Sequence, residues 1–324
     1  MKLFLTGASG FIGGAIARTL AQQTGKYELV AMSRSETSDR AIQNYGARPV
    51  RSELGAVSRE QLAGVDAIIH NAAYVHPWGR RADFQRVTVE GTRQLLAVAR
   101  EAGVRRFVHM GTDAVTFAGQ DQINVDESQA YPRKHRYNYS EAKAQAEQLV
   151  LSASDPGDFD TISLRPRIVW GPGDTTVLPV LLDMIERGGF MWINDGRAKT
   201  DTLHIANLVH ATELALTKGV SGHAYYITDD ETTTFREFMT ALVATRGVTL
   251  PERSAPGRVT RALAYLIESA WLMLRLKGDP PLTRFAAGLM SSEGTLRIDR
   301  AKNELGYKPL ISIAQGMREL ADAP

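Results

Sequence analysis

Through its first half the chain alternates short apolar runs with stretches of helical spacing. Leu3-Phe4-Leu5 reads as a strand, followed by a glycine turn and a helix to about Gln23. Glu28 to Met32 reads as a second strand, and Ala67-Ile68-Ile69-His70 and Phe107-Val108-His109-Met110 as buried strands. Between those two, Asp83 to Ala102 places Val87, Leu95, Leu96 and Val98 at the spacing of a helix with one core face. A further helix is predicted from about Tyr139 to Leu151, and a further strand at Ile162-Ser163-Leu164-Arg165. Strands alternating with helices imply an α/β fold, a parallel, doubly wound sheet with right-handed crossovers.

After Pro166 the pattern loosens, beginning with the turn cluster Gly171-Pro172-Gly173-Asp174. Helices are expected around Leu178–Arg187 and Ile205–Thr217, with a strand at Ala224–Thr228. The expected organisation is a dinucleotide-binding domain over residues 1–165, to which part of 200–230 returns. Residues 166–324 then form a smaller, mostly helical substrate lobe. The longest apolar stretch, Ala262 to Leu274, is bracketed by Arg258, Arg261, Arg275 and Lys277. It is too short to span a bilayer, which takes roughly 20 residues. It reads as a core or dimer-packing helix in preference to a surface helix that meets lipid.

Composition narrows the chemistry. The 324 residues carry 38 Lys+Arg against 36 Asp+Glu, a net charge of +2 that gives no reason to expect nucleic acid. With no cysteine, disulfides, thiolate catalysis and thiolate zinc sites are excluded. The seven histidines are scattered, and His204 and His210 are six apart, off one helical face, so no metal site is expected. His70 and His109 lie in strands and are expected in the core or against a cofactor. The N-terminal apolar run is too short for a signal peptide, so a cytoplasmic location is expected. Peripheral membrane contact and a homodimer stay open.

The first candidate site is Thr6-Gly7-Ala8-Ser9-Gly10-Phe11-Ile12-Gly13, between a strand and a helix. Glycines at 7, 10 and 13 allow a tight turn and close backbone approach, and the helix N-terminus offers free N–H groups to a pyrophosphate. Where an acid after the second strand would select NAD, this chain has Ser33-Arg34-Ser35. A guanidinium flanked by hydroxyls favours the 2′-phosphate of NADP(H), with NAD(H) as the alternative.

Tyr139 and Lys143 are four apart on a predicted helix and share a face. An ammonium and a positive nicotinamide ring beside a phenol lower its pKa toward acid–base use. Tyr137 is a poorer candidate because the residue four beyond it is Glu141. Thr112 follows a strand at the ligand-binding, C-terminal edge of the sheet.

Together with Asn71-Ala72-Ala73, Gly111-Thr112-Asp113, Tyr139-Ser140-Glu141-Ala142-Lys143 and Leu164-Arg165-Pro166, these motifs make the chain resemble an extended short-chain dehydrogenase/reductase of the epimerase/dehydratase group. The resemblance implies a Rossmann fold and a catalytic set of Thr112, Tyr139 and Lys143. It places Asn71, Ala72 and Ala73 along the dinucleotide and Pro166, Ile168 and Val169 near the nicotinamide carboxamide. Ser52-Glu53-Leu54 stands where the family often has Gly-Asp-Leu, so Glu53 takes over the adenine amino group. Thr88 stands where the family has a structural asparagine. Asp113 either contacts a polar substrate group or caps a turn.

His70-Asn71-Ala72-Ala73-Tyr74-Val75-His76-Pro77-Trp78-Gly79 and Leu164-Arg165-Pro166-Arg167-Ile168-Val169-Trp170-Gly171 are similar to the 3β-hydroxysteroid dehydrogenase-like and 2-alkyl-3-oxoalkanoate reductase-like branch. That branch implies hydride transfer between nicotinamide and a secondary alcohol or ketone on an apolar, steroid-like or 3-oxo lipid molecule. His76, Trp78, Asp113 and Trp170 are the candidate substrate residues. The competing readings are a nucleotide-sugar epimerase, dehydratase or reductase, with Arg197 and Lys199 available to a diphosphate, and a non-catalytic NADP-sensing protein. The presence of both Tyr139 and Lys143 weighs against the last.

Overall fold

The computed structural model describes residues 1–76 and 78–322, so Pro77 of the His76-Pro77-Trp78 stretch lies outside them. Seven strands form one parallel sheet: β1 (Lys2–Thr6), β2 (Glu28–Ser33), β3 (Arg48–Arg51), β4 (Ala67–His70), β5 (Arg106–Met110), β7 (Asp160–Pro166) and β12 (His223–Ile227). Their spatial order is β12-β7-β5-β4-β1-β2-β3, a doubly wound Rossmann arrangement whose order reverses beside β1.

Side chains alternate across a strand, and the central strand divides its residues accordingly. Leu3 and Leu5 of β1 pack with Ile16 and Leu20 of helix α1 (Phe11–Ala21) and Leu208 of α7 (Ile205–Ala215). Phe4, between them, faces the opposite layer with Leu95 and Leu96 of α4 (Gly91–Glu101) and Val150 of α5 (Asn138–Ser152). Both faces are covered, which is why the central strands are continuous apolar runs.

Two elements escaped the periodicity reading. Helix α2 (Glu36–Asn44) buries one residue, Ile42, and so carries almost no apolar stripe. Strand β3 reads Arg-Pro-Val-Arg; it is the sheet edge, where a proline is tolerated. The helical stretch predicted at 83–102 is α3 (Arg81–Phe84) running into α4 through a π-helical segment, Gln85–Glu90. Thr88 in that segment is buried, and its hydroxyl accepts the Tyr74 N–H at 3.0 Å, so it supplies the local hydrogen bond.

The rest of the chain builds a second body over the C-terminal edge of the sheet. A four-stranded sheet runs β13 (Thr232–Thr234), β10 (Lys199–Asp201), β15 (Gly294–Leu296), β6 (Gln122–Val125). Short pairs join β8 (Val169–Trp170) to β11 (Leu203–His204) and β9 (Trp192–Ile193) to β14 (Ser254–Ala255). Trp170, Phe190 and Trp192 form a separate core with Leu178 and Leu181 of α6 (Leu178–Glu186) and with Phe235, Phe238 and Leu242 of α8 (Phe235–Ala244). Thr234 and Glu237 close a capping box at the start of α8. Strand β12 leaves this body and pairs in parallel with β7.

Ala262 to Leu274 falls in α9 (Gly257–Met273), followed by α10 (Arg284–Ser291); α11 (Ile313–Asp322) ends the described chain. The core-helix reading of this segment is corrected. The buried residues of α9 are Gly257, Thr260, Ala264 and Glu268, whereas Leu263, Leu266 and Leu272 are exposed.

Candidate active site

The glycine loop is shaped by contacts that leave no room for side chains. Gly7 has φ +74°, and the Gly10 N–H donates to its carbonyl at 3.2 Å. A Cβ on Gly13 would lie 2.2 Å from the Gly7 oxygen. Helix α1 therefore starts directly against the loop. Gly10 is its N-cap and provides no side-chain cap, leaving first-turn N–H groups available to a ligand. Thr6 Oγ1 accepts from the backbone N–H groups of Asn71 at 3.1 Å and Ala72 at 3.0 Å, which pins the Asn71-Ala72-Ala73 segment beside the loop. This cradle of free donors at a helix N-terminus fits a dinucleotide pyrophosphate.

Beyond the loop a cavity of about 390 Å³ is lined by Arg34, Arg51, Ser52, Glu53, Ala56 and Gln61. Arg34 and Glu53 line it, and the serines beside Arg34 do not. Ser33 is buried and donates to the Ser35 carbonyl at 3.1 Å, and Ser35 caps α2 by accepting the Ser38 N–H at 3.2 Å. Their hydroxyls serve the turn. Leu54 packs against Gly91 of α4. Arg51, held by an ion pair with Asp39, was not foreseen, because a four-residue edge strand gives no pattern to read.

Tyr139 and Lys143 occupy successive turns of α5; Lys143 is buried and Tyr139 half-buried. Burial raises the Tyr139 phenol to about 12; a hydrogen bond with Thr112 opposes this and the Asp113 charge adds to it. Burial lowers Lys143 to about 8, partly offset by Glu147 one turn on. The Lys143 Nζ donates to the Met110 carbonyl at 2.5 Å. The lowering of the tyrosine expected from Lys143 is thus absent from this arrangement: Thr112 is what acts on the phenol. Thr112 caps the short turn after β5, accepting the Ala114 N–H at 3.2 Å.

Asp113 is neither a turn cap nor free for substrate. Its carboxylate is paired with the buried Arg167, whose Nε donates to Thr200 Oγ1 at 3.1 Å. A second buried pair lies behind α5. Glu147 accepts from Arg165 Nη2 at 2.7 Å, Ser163 at 2.6 Å and Tyr131 at 2.7 Å. Neither arginine was singled out in the sequence; the partners are 18 and 54 residues apart, so only folding reveals them. Pro166 ends β7, Ile168 takes φ +38° and Val169 pairs with Leu203, a sharp bend at the edge where Thr112 lies.

Beside Tyr139 a small space of about 30 Å³ is lined by Trp78, Phe84, Tyr137, Glu268, Arg284 and Phe285, among others. Phe285 of α10 covers the site, its ring 5.5 Å from that of Tyr139 and 5.4 Å from that of Tyr137. Of the predicted substrate residues, only Trp78 is here. His76 is exposed and packs on Tyr74, with ring centroids 4.6 Å apart. Trp170 is fully buried, donating to Asp229 at 3.2 Å with its ring against Phe238, so it belongs to the core. His70 and His109 are also buried; His70 bridges Thr6 and Thr92 at 2.9 Å each. Arg197, considered for a diphosphate, pairs with Asp195 at 3.1 Å.

Comparison with known proteins accords with this geometry. The family model described as the 3-beta hydroxysteroid dehydrogenase/isomerase family matches residues 4–256. The 4-hydroxy-2-methyl-3-oxo-4-farnesyl-3,4-dihydroquinoline-1-oxide ketoreductase of Stigmatella aurantiaca is 38% identical, the alignment covering 100% of this chain and 96% of the relative. The 2-alkyl-3-oxoalkanoate reductase of Stenotrophomonas maltophilia is 33% identical over 99% of this chain and 98% of its own length. The UDP-glucuronic acid 4-epimerase of Bacillus cereus, solved in complex with NAD, shares the fold with a TM-score of 0.76 at 18% identity, covering 99% of this chain and 98% of the epimerase. With its doubly wound sheet, glycine cradle and Tyr139/Lys143 helix, the chain belongs to the 3-beta hydroxysteroid dehydrogenase/isomerase family of extended short-chain dehydrogenase/reductase oxidoreductases.

Proposed function

We propose that this protein is an NADPH-preferring reductase of a ketone carried on an apolar, 3-oxo lipid-like or steroid-like molecule. The observation that carries the reading is the placement of Tyr139 between Phe285 and Trp78, one helical turn before the buried Lys143, with its phenol pushed up to about 12 and Thr112 opposing that rise. A phenol stored in its acid form beside an apolar wall is poised to give a proton to a carbonyl oxygen. The ketoreductase and oxoalkanoate reductase relatives act on apolar oxo compounds, which supports the same substrate class here.

The bound nicotinamide would supply the hydride to the carbonyl carbon. The chain's residues do the rest. Thr112 and Tyr139 hydrogen-bond the ketone oxygen, where negative charge develops, and Tyr139 gives it its proton. Bound ribose hydroxyls would draw Lys143 off the Met110 carbonyl, and its ammonium, brought nearer the phenol, would then favour the phenolate that remains. The glycine loop and α1 hold the pyrophosphate, with Asn71, Ala72 and Ala73 alongside. Pro166, Ile168 and Val169 border the nicotinamide. Residues 1–165 with β12 bind the cofactor, and most of 166–324 binds the substrate.

The preference for NADPH rests on the cavity where Arg34 and Arg51 converge. A charge-assisted hydrogen bond to a 2′-phosphate contributes about 1.5–3 kcal/mol, or roughly a 10- to 100-fold change in affinity. Arg34→Ala is expected to raise KM for NADPH by that factor and leave KM for NADH unchanged. Oxidation of NADPH followed with a panel of 3-oxo lipids, steroid ketones and nucleotide sugars tests the substrate class. Turnover confined to nucleotide sugars refutes it.

A further inference from the structure

Helix α9 is amphipathic the wrong way round for a helix that faces water. Its inward stripe is small and polar: Gly257, Thr260, Ala264 and Glu268. Its outward stripe holds Val259, Leu263, Leu266 and Met273, spaced four, three and seven residues apart along one side of the helix, and Leu272 is exposed in the last turn as well. Exposure is high, 63% at Leu266 and at Leu272 and 82% at Met273. The stripe continues past the helix into Leu274 and Leu276. A contiguous apolar surface of this kind marks an interaction site.

The charges around it identify the partner. Arg258 at one end and Arg275 and Lys277 at the other are exposed. Between Gly257 and Gly278 the sole carboxylate is Glu268, which is buried and paired with Arg284. Apolar residues flanked by cations, with no exposed acid between them, suit the boundary between acyl chains and anionic headgroups, where long basic side chains reach up to the phosphates. A second copy of the chain suits it less. A two-fold contact between antiparallel α9 helices would set Arg258 of one against Arg275 and Lys277 of the other, three cations to one exposed carboxylate, Asp279, at each end. No helix among the described residues is long and apolar enough to cross a membrane, so contact would be peripheral.

We propose that the outer face of α9 docks this protein on an anionic lipid surface. The same element borders the catalytic space. Arg284 lies over the Tyr265 ring at 5.6 Å on the outer side and pairs with Glu268, which lines the space beside Tyr139. An apolar substrate dissolved in the bilayer would thus meet the protein next to the site that reduces it.

The test is co-sedimentation of the full chain with vesicles of phosphatidylcholine alone and of an equimolar mixture of phosphatidylcholine and phosphatidylglycerol. Wild-type protein is expected to sediment with the mixed vesicles and to be released by high salt. Leu266→Glu/Leu272→Glu is expected to lower partitioning by about tenfold or more, and Arg275→Glu/Lys277→Glu to abolish the preference for phosphatidylglycerol. These positions are exposed and outside the catalytic space, so far-UV circular dichroism and NADPH binding stay as in wild type. The proposal is overturned if wild type does not sediment, or if the leucine variant sediments equally well. It is also overturned if sedimentation equilibrium finds a dimer that the leucine variant alone dissolves while neither protein binds vesicles. None of these readouts depends on which ketone is reduced.

Discussion

Replacing Gly13 with alanine adds one methyl group at the point where helix and loop touch. That Cβ would sit 2.2 Å from the Gly7 oxygen, 2.7 Å from the Gly7 carbonyl carbon and 3.0 Å from the Ala8 Cα. All three are backbone atoms with no rotamer to yield, so loop and helix must separate by about 1 Å, the difference from an ordinary contact of roughly 3.2 Å. The first-turn N–H groups then move off the pyrophosphate. Losing two charge-assisted hydrogen bonds at about 1.5 kcal/mol each costs about 3 kcal/mol, or a Kd for NADPH raised about 100-fold. The strain also lowers stability, by about 1–3 kcal/mol. Calorimetric titration with NADPH reads the first quantity, and thermal unfolding of the apoprotein the second. Gly189→Ala is the control: its Cβ would meet nothing closer than the Met184 oxygen at 3.6 Å, and binding should be unchanged. A folded Gly13→Ala protein that binds NADPH within about threefold of wild type would refute the cradle.

Tyr139→Phe should lower kcat about 100- to 10,000-fold while the Kd for NADPH, measured by calorimetry, stays near wild type. Lys143, lowered from 10.5 to about 8 by burial, binds its proton less tightly folded than unfolded. Its contribution to stability therefore rises with pH from about 8 to about 10.5, and below that window the buried charge costs about 3 kcal/mol. Lys143→Met should accordingly be inactive yet more stable than wild type at neutral pH by about 1–3 kcal/mol, a gain that fades toward pH 10.5 in denaturant titrations. A variant less stable than wild type at neutral pH would contradict this. Glu147→Ala leaves the Arg165 guanidinium buried without its partner and should destabilise the fold by about 3–5 kcal/mol, read from the urea midpoint.

Much of the sheet was legible because its central strands are buried on both sides and its helices are striped. Strand β4 falls on the four residues its apolar run marks, and Asn138–Ser152 lies within a residue of the helix predicted from Tyr139 to Leu151. Elements with one buried side chain or none carry no such stripe, and α2 and β3 were invisible for that reason. Within the site, local motifs located the glycine loop, Thr112, Tyr139 and Lys143, because each sits at a turn or a helical spacing that sequence distance alone defines.

Residue type misled where it stood in for position. Trp170 resembled a pocket wall but fills the core of the second body, and Asp113 resembled a ligand contact but is taken by Arg167. In α9 the leucines resembled core and face outward. The sequence by itself determined the doubly wound sheet, the dinucleotide cradle and the turns that bear Thr112, Tyr139 and Lys143, since each depends on side-chain periodicity or on backbone geometry within a few residues. Tertiary structure alone decided which charges neutralise one another, which aromatic ring covers Tyr139 and which side of α9 is buried. Those outcomes depend on segments far apart in the chain, whose desolvation and pairing energies exist only once they are packed together.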